Sequence, residues 1–161
     1  EYTEKRTPRN HAQTTIDART GVNSSMRLRL TSQQVLLLRD EASRVQPLEA
    51  CALLFGRTNE KEAIVERIVT APNALRSTIR FEIDPKTFYD AFIQAQEDGL
   101  DFLGLFHSHP APAYPSSLDQ EFMRLWGDAF WLILSTLDNS LAAFRMSNRR
   151  VQRVTVKTDK A

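Results

Sequence analysis

The sequence contains a single cysteine, Cys51, among its 161 residues. One cysteine excludes a disulfide within the chain and is typical of a reducing compartment, so we expect a cytoplasmic protein. Because Cys51 lies in a strongly apolar stretch, we interpret it as a small core residue and not as a nucleophile. No apolar run approaches the ~18 residues of a membrane-spanning helix and no secretory leader is visible, so we expect no membrane association.

The sequence also lacks a large net charge. Its 21 basic and 20 acidic residues leave a formal net charge of +1, which provides no electrostatic footprint for nucleic acid. Apolar residues make up 42% and charged residues 25%, as in an ordinary globular protein. Residues 1–25 carry few large apolar side chains and no periodicity, which indicates a disordered tail or a segment added for expression. Residues 26–161 are expected to form one domain.

The most informative stretch is an apolar run that ends in His107-Ser108-His109-Pro110. Side chains at positions i and i+2 of a β-strand point to the same face, so the two histidines can project side by side. Pro110 ends the strand because it has no backbone N–H to donate. Two imidazoles on one face are a natural start for a zinc site.

A second motif, Ser116-x-x-Asp119, opens a helical pattern after a proline-rich turn. Taken alone, it is typical of a capping box, in which the Ser116 side chain caps the helix and the Asp119 side chain accepts from the backbone N–H of Ser116. With the two histidines just upstream, Asp119 is also a candidate third ligand, and a catalytic zinc keeps its fourth position for water. The two interpretations are compatible because capping would hold Asp119 in place.

Taken together, these motifs resemble the signature of the JAMM (MPN+) family of zinc metalloproteases, whose members remove ubiquitin and ubiquitin-like proteins from conjugates. That family also has a glutamate on an upstream apolar strand, and Glu49 within Pro47–Gly56 stands in the matching place. The likeness extends over about residues 27–157. It implies a cytidine-deaminase-like MPN domain, one catalytic zinc on His107, His109 and Asp119, and a compact enzyme similar to archaeal homologues of the proteasome-lid deubiquitinase.

The resemblance also implies roles for two further residues. Glu49 is expected to be the general base that takes a proton from the attacking water and later delivers it to the leaving amine. From the residues alone, Glu49 is also compatible with a surface position at a strand edge. The Ser116 hydroxyl is expected to stabilise the tetrahedral oxyanion.

The apolar periodicity predicts a mixed α/β domain, with a curved sheet flanked by helices. It predicts strands at 27–30, 48–56, 62–69, 77–83, 101–107, 130–136, 141–146 and 151–156, and helices that begin near Thr31, Pro85 and Ser116. We expect an extended substrate tail to add as a strand along the edge at Ala74–Phe81.

The resemblance implies that the substrate is the bond after the C-terminal tail of ubiquitin or a ubiquitin-like protein, and it also implies a link to a proteasome or an AAA ATPase. The chain is expected to be a monomer or a dimer. Two alternatives stay open: a peptidase that acts on a sulfur-carrier protein, and a metal-free MPN scaffold that only binds partners. An amidohydrolase barrel needs ~200 or more residues, and a cupin is an all-β jelly roll, so neither fits. The Pro-Cys-x-x-Cys motif of zinc deaminases is absent.

Overall fold

The structure is a computed structural model that describes residues 26–160. The predicted tail at residues 1–25 lies outside the described residues. Eight strands and three helices follow one another in the order β1 (Arg27–Thr31), α1 (Ser32–Val45), β2 (Cys51–Thr58), β3 (Glu62–Ala71), α2 (Pro85–Glu97), β4 (Asp101–His109), α3 (Ser117–Leu125), β5 (Phe130–Ser135), β6 (Leu141–Ser147), β7 (Arg150–Val154) and β8 (Val156–Asp159).

The strands form one mixed sheet in the order β7-β6-β5-β4-β2-β3-β1-β8. β1 runs parallel to β3 and β8, and β4 runs parallel to β5, whereas the remaining neighbours are antiparallel. The two edge strands, β7 and β8, are consecutive in the chain and are separated only by Thr155. A single residue cannot cross a flat eight-stranded sheet, so the sheet curls until its two edges approach each other.

Helices cover both faces of the sheet. Along β2, Ala52 and Leu54 belong to the hydrophobic cluster that includes α1, whereas Leu53 and Phe55 belong to the cluster that includes α2 and α3. Strands covered on both faces have continuous apolar runs, and this explains why residues 51–55 are all buried. The predicted mixed α/β architecture is therefore confirmed. None of the described helices is long and apolar enough to cross a membrane.

The three helices begin where the sequence predicts, near Thr31, Pro85 and Ser116, and each begins at a capping residue. Thr31 caps α1 and Ser116 caps α3, each with a complete capping box. Asp84 caps α2 immediately before Pro85, and Gly99 adopts a positive φ of 73° just beyond its end. These side chains accept hydrogen bonds from helical N–H groups that have no partner within the helix.

The strand predicted at 77–83 is wrong. Residues 72–84 form a loop without regular secondary structure, which we call the 72–84 loop. Its backbone groups bond largely within the loop, in part to the side chain of Asn73, and the Ser77 carbonyl also accepts from the N–H of Glu49, which precedes β2. Of the three apolar residues that alternate there, Phe81 and Ile83 pack on the core, whereas Ile79 is 74% exposed.

Two further strand predictions need correction. The strand predicted at 151–156 is two strands, because Val154 pairs with β6 and Val156 pairs with β1 at the opposite edge of the sheet. The strand predicted at 48–56 begins only at Cys51, since residues 46–50 form the turn and extended segment that lead into it. Glu49 therefore precedes β2 and does not lie within it.

Cys51 is expected to resist modification in the folded protein. Burial, with a smaller contribution from the nearby Glu49 and Glu41 carboxylates, raises the pKa of its thiol to about 12. Only the thiolate is reactive, so we predict that Ellman's reagent labels the native protein at pH 8 at least about 100-fold more slowly than the protein in guanidinium chloride. Equal labelling rates in the two conditions would show that Cys51 is accessible.

Candidate metal centre

The two histidines of the motif lie at the C-terminal end of β4. His107 is fully buried and His109 is 6% exposed. β4 lies between β2 and β5, and residues 103–109 are all buried. The two imidazole rings are 5.4 Å apart between centroids, as expected for positions i and i+2 of a strand.

Asp119 reaches the histidines from the first turn of α3. Its backbone N–H donates to the Ser116 hydroxyl at 3.1 Å, and its Oδ2 accepts from the backbone N–H of Ser116 at 2.9 Å. The same Oδ2 lies 3.2 Å from Nε2 of His107. The capping box predicted from the sequence is confirmed, and it orients the buried carboxylate toward β4.

The side chains of His107, His109 and Asp119 offer nitrogen and oxygen atoms that all lie within 4.8 Å of one another. Several buried atoms around them have no hydrogen-bond partner of good geometry within residues 26–160: Nδ1 of His107, both ring nitrogens of His109 and Oε2 of Glu49. Buried polar atoms are nearly always satisfied, so a cluster of unsatisfied nitrogen and oxygen atoms is unusual. Two imidazoles and one carboxylate are a ligand set that suits zinc, and the residues fit such an ion.

The local electrostatics favour the protonation states that bind a metal. Burial, reinforced by the neighbouring His107, lowers the pKa of His109, so its imidazole is held neutral. Burial would raise the pKa of Asp119, but hydrogen bonds from His107 and Ser116 outweigh it and leave that pKa below its ordinary value. A neutral imidazole and an ionised carboxylate are the forms that coordinate metal ions.

Glu49 is buried beside these three groups, with only 4% of its surface exposed. Burial raises its pKa to about 7, and the charges of His107 and Asp119 act on it in opposite directions. Its backbone N–H donates to the carbonyl of Ser77 at 2.9 Å. A carboxylate with a pKa near neutrality is suited to accept and then release a proton.

Two serines flank the cluster in different ways. Ser116 is exposed, and its hydroxyl accepts from the Asp119 N–H, so this hydrogen bond does not use the hydroxyl proton. Ser108 lies between the two histidines in sequence and is buried, and on a strand its side chain points to the opposite face of β4. Its hydroxyl accepts from the backbone N–H of Ala50 at 3.0 Å. Because the Ser108 N–H also donates to the Ala50 carbonyl, this pair fixes Glu49 next to β4.

Sequence reasoning missed the aromatic residues around His107. Phe81 stacks on its imidazole, with 4.6 Å between ring centroids and 20° between planes, and Trp131 meets it edge-on at 5.9 Å. Both aromatic residues line a groove of about 640 Å³ between the 72–84 loop, α2 and α3. The groove is mostly apolar, and Phe88, Phe122 and Trp126 also line it. Aromatic residues so distant in sequence give no local signal that they will meet.

Comparisons with known proteins agree with the motif. The family model described as "Prokaryotic homologs of the JAB domain" (Prok-JAB) matches residues 31–152. The chain is 37% identical over 89 residues to the desampylase of Pyrococcus furiosus, covering 55% of this chain and 60% of that protein. It is 35% identical over 78 residues to the "Probable TtuB-protein conjugate cleaving protease" of Thermus thermophilus, covering 47% of this chain and 49% of that protein. It is 32% identical over 81 residues to the "Deubiquitinase MYSM1" of Homo sapiens, covering 50% of this chain and 10% of that protein.

The fold is also similar to that of a solved structure. A protein from Desulfitobacterium hafniense superimposes with a TM-score of 0.75 and 28% identity, covering 83% of this chain and 94% of that chain. The chain spans no more than about 60% of the length of the three curated relatives. The family match extends over most of the chain and includes Glu49, both histidines, Ser116 and Asp119. The chain therefore belongs to the Prok-JAB family, and the resemblance to JAMM (MPN+) proteins is confirmed.

Proposed function

We propose that this protein is a zinc-dependent peptidase that hydrolyses the bond after the C-terminal tail of a ubiquitin-like protein, above all the isopeptide bond of a conjugate. The observation that carries the proposal is the cluster of His107, His109 and Asp119 beside the buried Glu49. The names of the relatives support the substrate class, since they are described as a desampylase, a deubiquitinase and a conjugate-cleaving protease.

In this proposal His107, His109 and Asp119 hold the zinc ion, which when bound supplies Lewis-acid polarisation of the scissile carbonyl and acidifies a water molecule. Glu49 accepts the proton of the attacking water on its carboxylate and returns it to the leaving amine. The Ser116 hydroxyl donates to the oxyanion of the tetrahedral intermediate. Glu49 and His107 are buried, and the exclusion of bulk water around them strengthens their electrostatic interactions.

The groove beside His107 offers an apolar surface where a substrate could be held close to these groups. The exposed 72–84 loop forms one wall of the groove and includes the edge Ala74–Phe81 that the sequence predicts for an incoming strand. Because this segment is not a strand and several of its backbone groups already bond to Asn73, a tail held there would depend on apolar contacts more than on main-chain hydrogen bonds.

The test is a cleavage assay on defined substrates. Zinc-loaded protein is incubated with a ubiquitin-like protein joined by an isopeptide bond to a lysine side chain, and with the same protein as a linear fusion. The expected result is release of the intact ubiquitin-like protein, abolished by a zinc chelator and restored by added zinc. Cleavage of a purified sulfur-carrier protein alone would favour the alternative substrate. Failure on every substrate, with zinc bound, would contradict the proposal.

A metal-free scaffold that only binds partners is the alternative from another class. The buried cluster of His107, His109 and Asp119 speaks against it, because a buried nitrogen that faces the cluster without a partner costs about 1–3 kcal/mol. A scaffold would gain nothing from that cost.

A further inference from the structure

Asn73 is a buried polar residue outside the candidate centre, with 7% of its surface exposed. Its side chain makes four hydrogen bonds to the backbone of the 72–84 loop. Nδ2 donates to the carbonyls of Ser77 at 3.2 Å and Arg80 at 2.8 Å. Oδ1 accepts from the N–H groups of Leu75 at 3.1 Å and Glu82 at 3.2 Å. The amide of Asn73 therefore connects backbone groups near the start, in the middle and near the end of the loop.

The loop held in this way contacts the candidate centre at two points. Phe81, between two of the backbone groups that bond to Asn73, stacks on the imidazole of His107. The carbonyl of Ser77, which accepts from Asn73, also accepts from the backbone N–H of Glu49. A displacement of the loop would thus move both Phe81, which is the aromatic cover of His107, and the Ser77 carbonyl, which holds the backbone of Glu49.

We infer that Asn73 is a positioning residue, which acts through the 72–84 loop to fix Glu49 and the aromatic cover of His107 in one working arrangement. The inference rests on the proposed function, because it assigns Asn73 to the same reaction. It also makes Asn73 the organiser of one wall of the groove, since Leu75, Arg80, Phe81 and Glu82 all line it.

The chemistry of the side chain explains why asparagine is needed. The loop presents two carbonyls and two N–H groups to it, and only an amide supplies two donors and an acceptor with two lone pairs at once. Aspartate would keep the acceptor and lose both donors, so the carbonyls of Ser77 and Arg80 would face a negatively charged oxygen. Alanine would lose all four hydrogen bonds.

The first test measures loop closure without substrate or metal. The sequence has two tryptophans, and both line the groove. In a Trp126→Phe background the remaining Trp131 is 1% exposed and lies under Phe81, with 6.0 Å between ring centroids. We expect Asn73→Ala and Asn73→Asp to increase acrylamide quenching of Trp131 at least about 2-fold. Without the Asn73 hydrogen bonds the 72–84 loop opens more often, and Phe81 then no longer shields the Trp131 ring from the quencher.

Asn59 provides the matched control. Its Oδ1 accepts from the N–H groups of Lys61 and Glu62 in the turn between β2 and β3, so it organises a loop in a similar way at another place. Asn59→Ala should leave quenching unchanged. Quenching in the two Asn73 variants equal to that in the parent would overturn the inference.

The second test separates positioning from stability. At a temperature well below unfolding, zinc-loaded Asn73→Ala should bind the same amount of zinc as the wild type, since no proposed ligand lies on the loop. Its kcat per zinc should fall about 10–100-fold, because small misplacements of reacting groups cost this much. A purely structural role predicts an unchanged kcat per zinc, and that result would overturn the inference. If the wild type cleaves no conjugate, the proposed function fails, while the quenching result still decides whether Asn73 holds the loop.

Discussion

Replacing Glu49 with glutamine is expected to lower kcat by about 10²–10⁴-fold while zinc content stays at about one ion per chain. General acid–base catalysis contributes this range, and a glutamine amide cannot take up the proton of the attacking water. The substitution keeps the size of the side chain and leaves the residues that would hold the metal unchanged. The measurement is a single-turnover cleavage assay with metal analysis of the same sample.

The same substitution is expected to stabilise the metal-free protein above pH 7. The pKa of Glu49 is about 7 in the folded protein, against an ordinary value of 4.5, because burial disfavours its charged form. Stability is therefore lost as pH rises from about 4.5 to about 7, where the unfolded chain has released this proton and the folded chain has not. Glutamine carries no charge, so we expect a gain of about 1–3 kcal/mol at pH 8 in a urea denaturation experiment.

The exposed Glu97 at the end of α2 is the control for both measurements. Glu97→Gln should leave kcat unchanged and should change the unfolding free energy by no more than about 0.5 kcal/mol. A variant Glu49→Gln that cleaves conjugates at the wild-type rate would show that another group is the base.

Replacing Asp119 with asparagine is expected to remove the metal and with it nearly all activity. An amide oxygen can still accept from the backbone N–H of Ser116, so the helix cap survives, but the negative charge that would balance zinc is lost. Loss of a partner that only orients a ligand costs about 10–100-fold in metal affinity, and we expect loss of a ligand to cost at least ~100-fold. The measurement is zinc affinity by competition with a chromogenic chelator.

Ser116→Ala is the complementary variant, because it removes the cap and keeps the carboxylate. We expect it to retain zinc, to lose about 1 kcal/mol of stability, and to lose about 10²–10³-fold in kcat through the missing oxyanion donor. If Asp119→Asn bound zinc as tightly as the wild type, Asp119 would be a capping residue only.

Much of the fold follows from local chemistry that the sequence displays directly. Thr31, Asp84 and Ser116 begin the three helices because their side chains accept hydrogen bonds from the first helical turn. The apolar run before His107 predicts a central strand, and β4 has that place between β2 and β5. These signals depend on residues within one or two turns of each other.

The errors have a common cause, which is that a pattern of apolar residues does not specify its partner. The alternation of Ile79, Phe81 and Ile83 is typical of a strand, yet the 72–84 loop satisfies its own backbone through Asn73. The pattern at 151–156 is continuous, but the chain passes at Thr155 from one sheet edge to the other. Choice of a strand partner is a long-range property, decided by how the whole sheet curls.

In the candidate site, too, the features set by local spacing were predicted and the tertiary contacts were not. The His-x-His and Ser-x-x-Asp spacings bring His107, His109 and Asp119 into the prediction, because each spacing is local. The sequence assigns Ala74–Phe81 a role as a substrate edge, but it does not predict the contact between Phe81 and His107, since that contact depends on the tertiary arrangement. Assignment of Glu49 as the base relied on family resemblance, and its burial beside the histidines now gives that role a physical basis.

The measurement that tests the central claim most directly is zinc content per chain, determined by elemental analysis after gel filtration of the wild type and His109→Ala. It needs no choice of substrate. We predict about one zinc ion per wild-type chain and far less in the variant, because His109 offers one ring nitrogen to the cluster and its loss leaves two ligands. A wild-type protein that holds no zinc, even after incubation with the metal, would contradict the account.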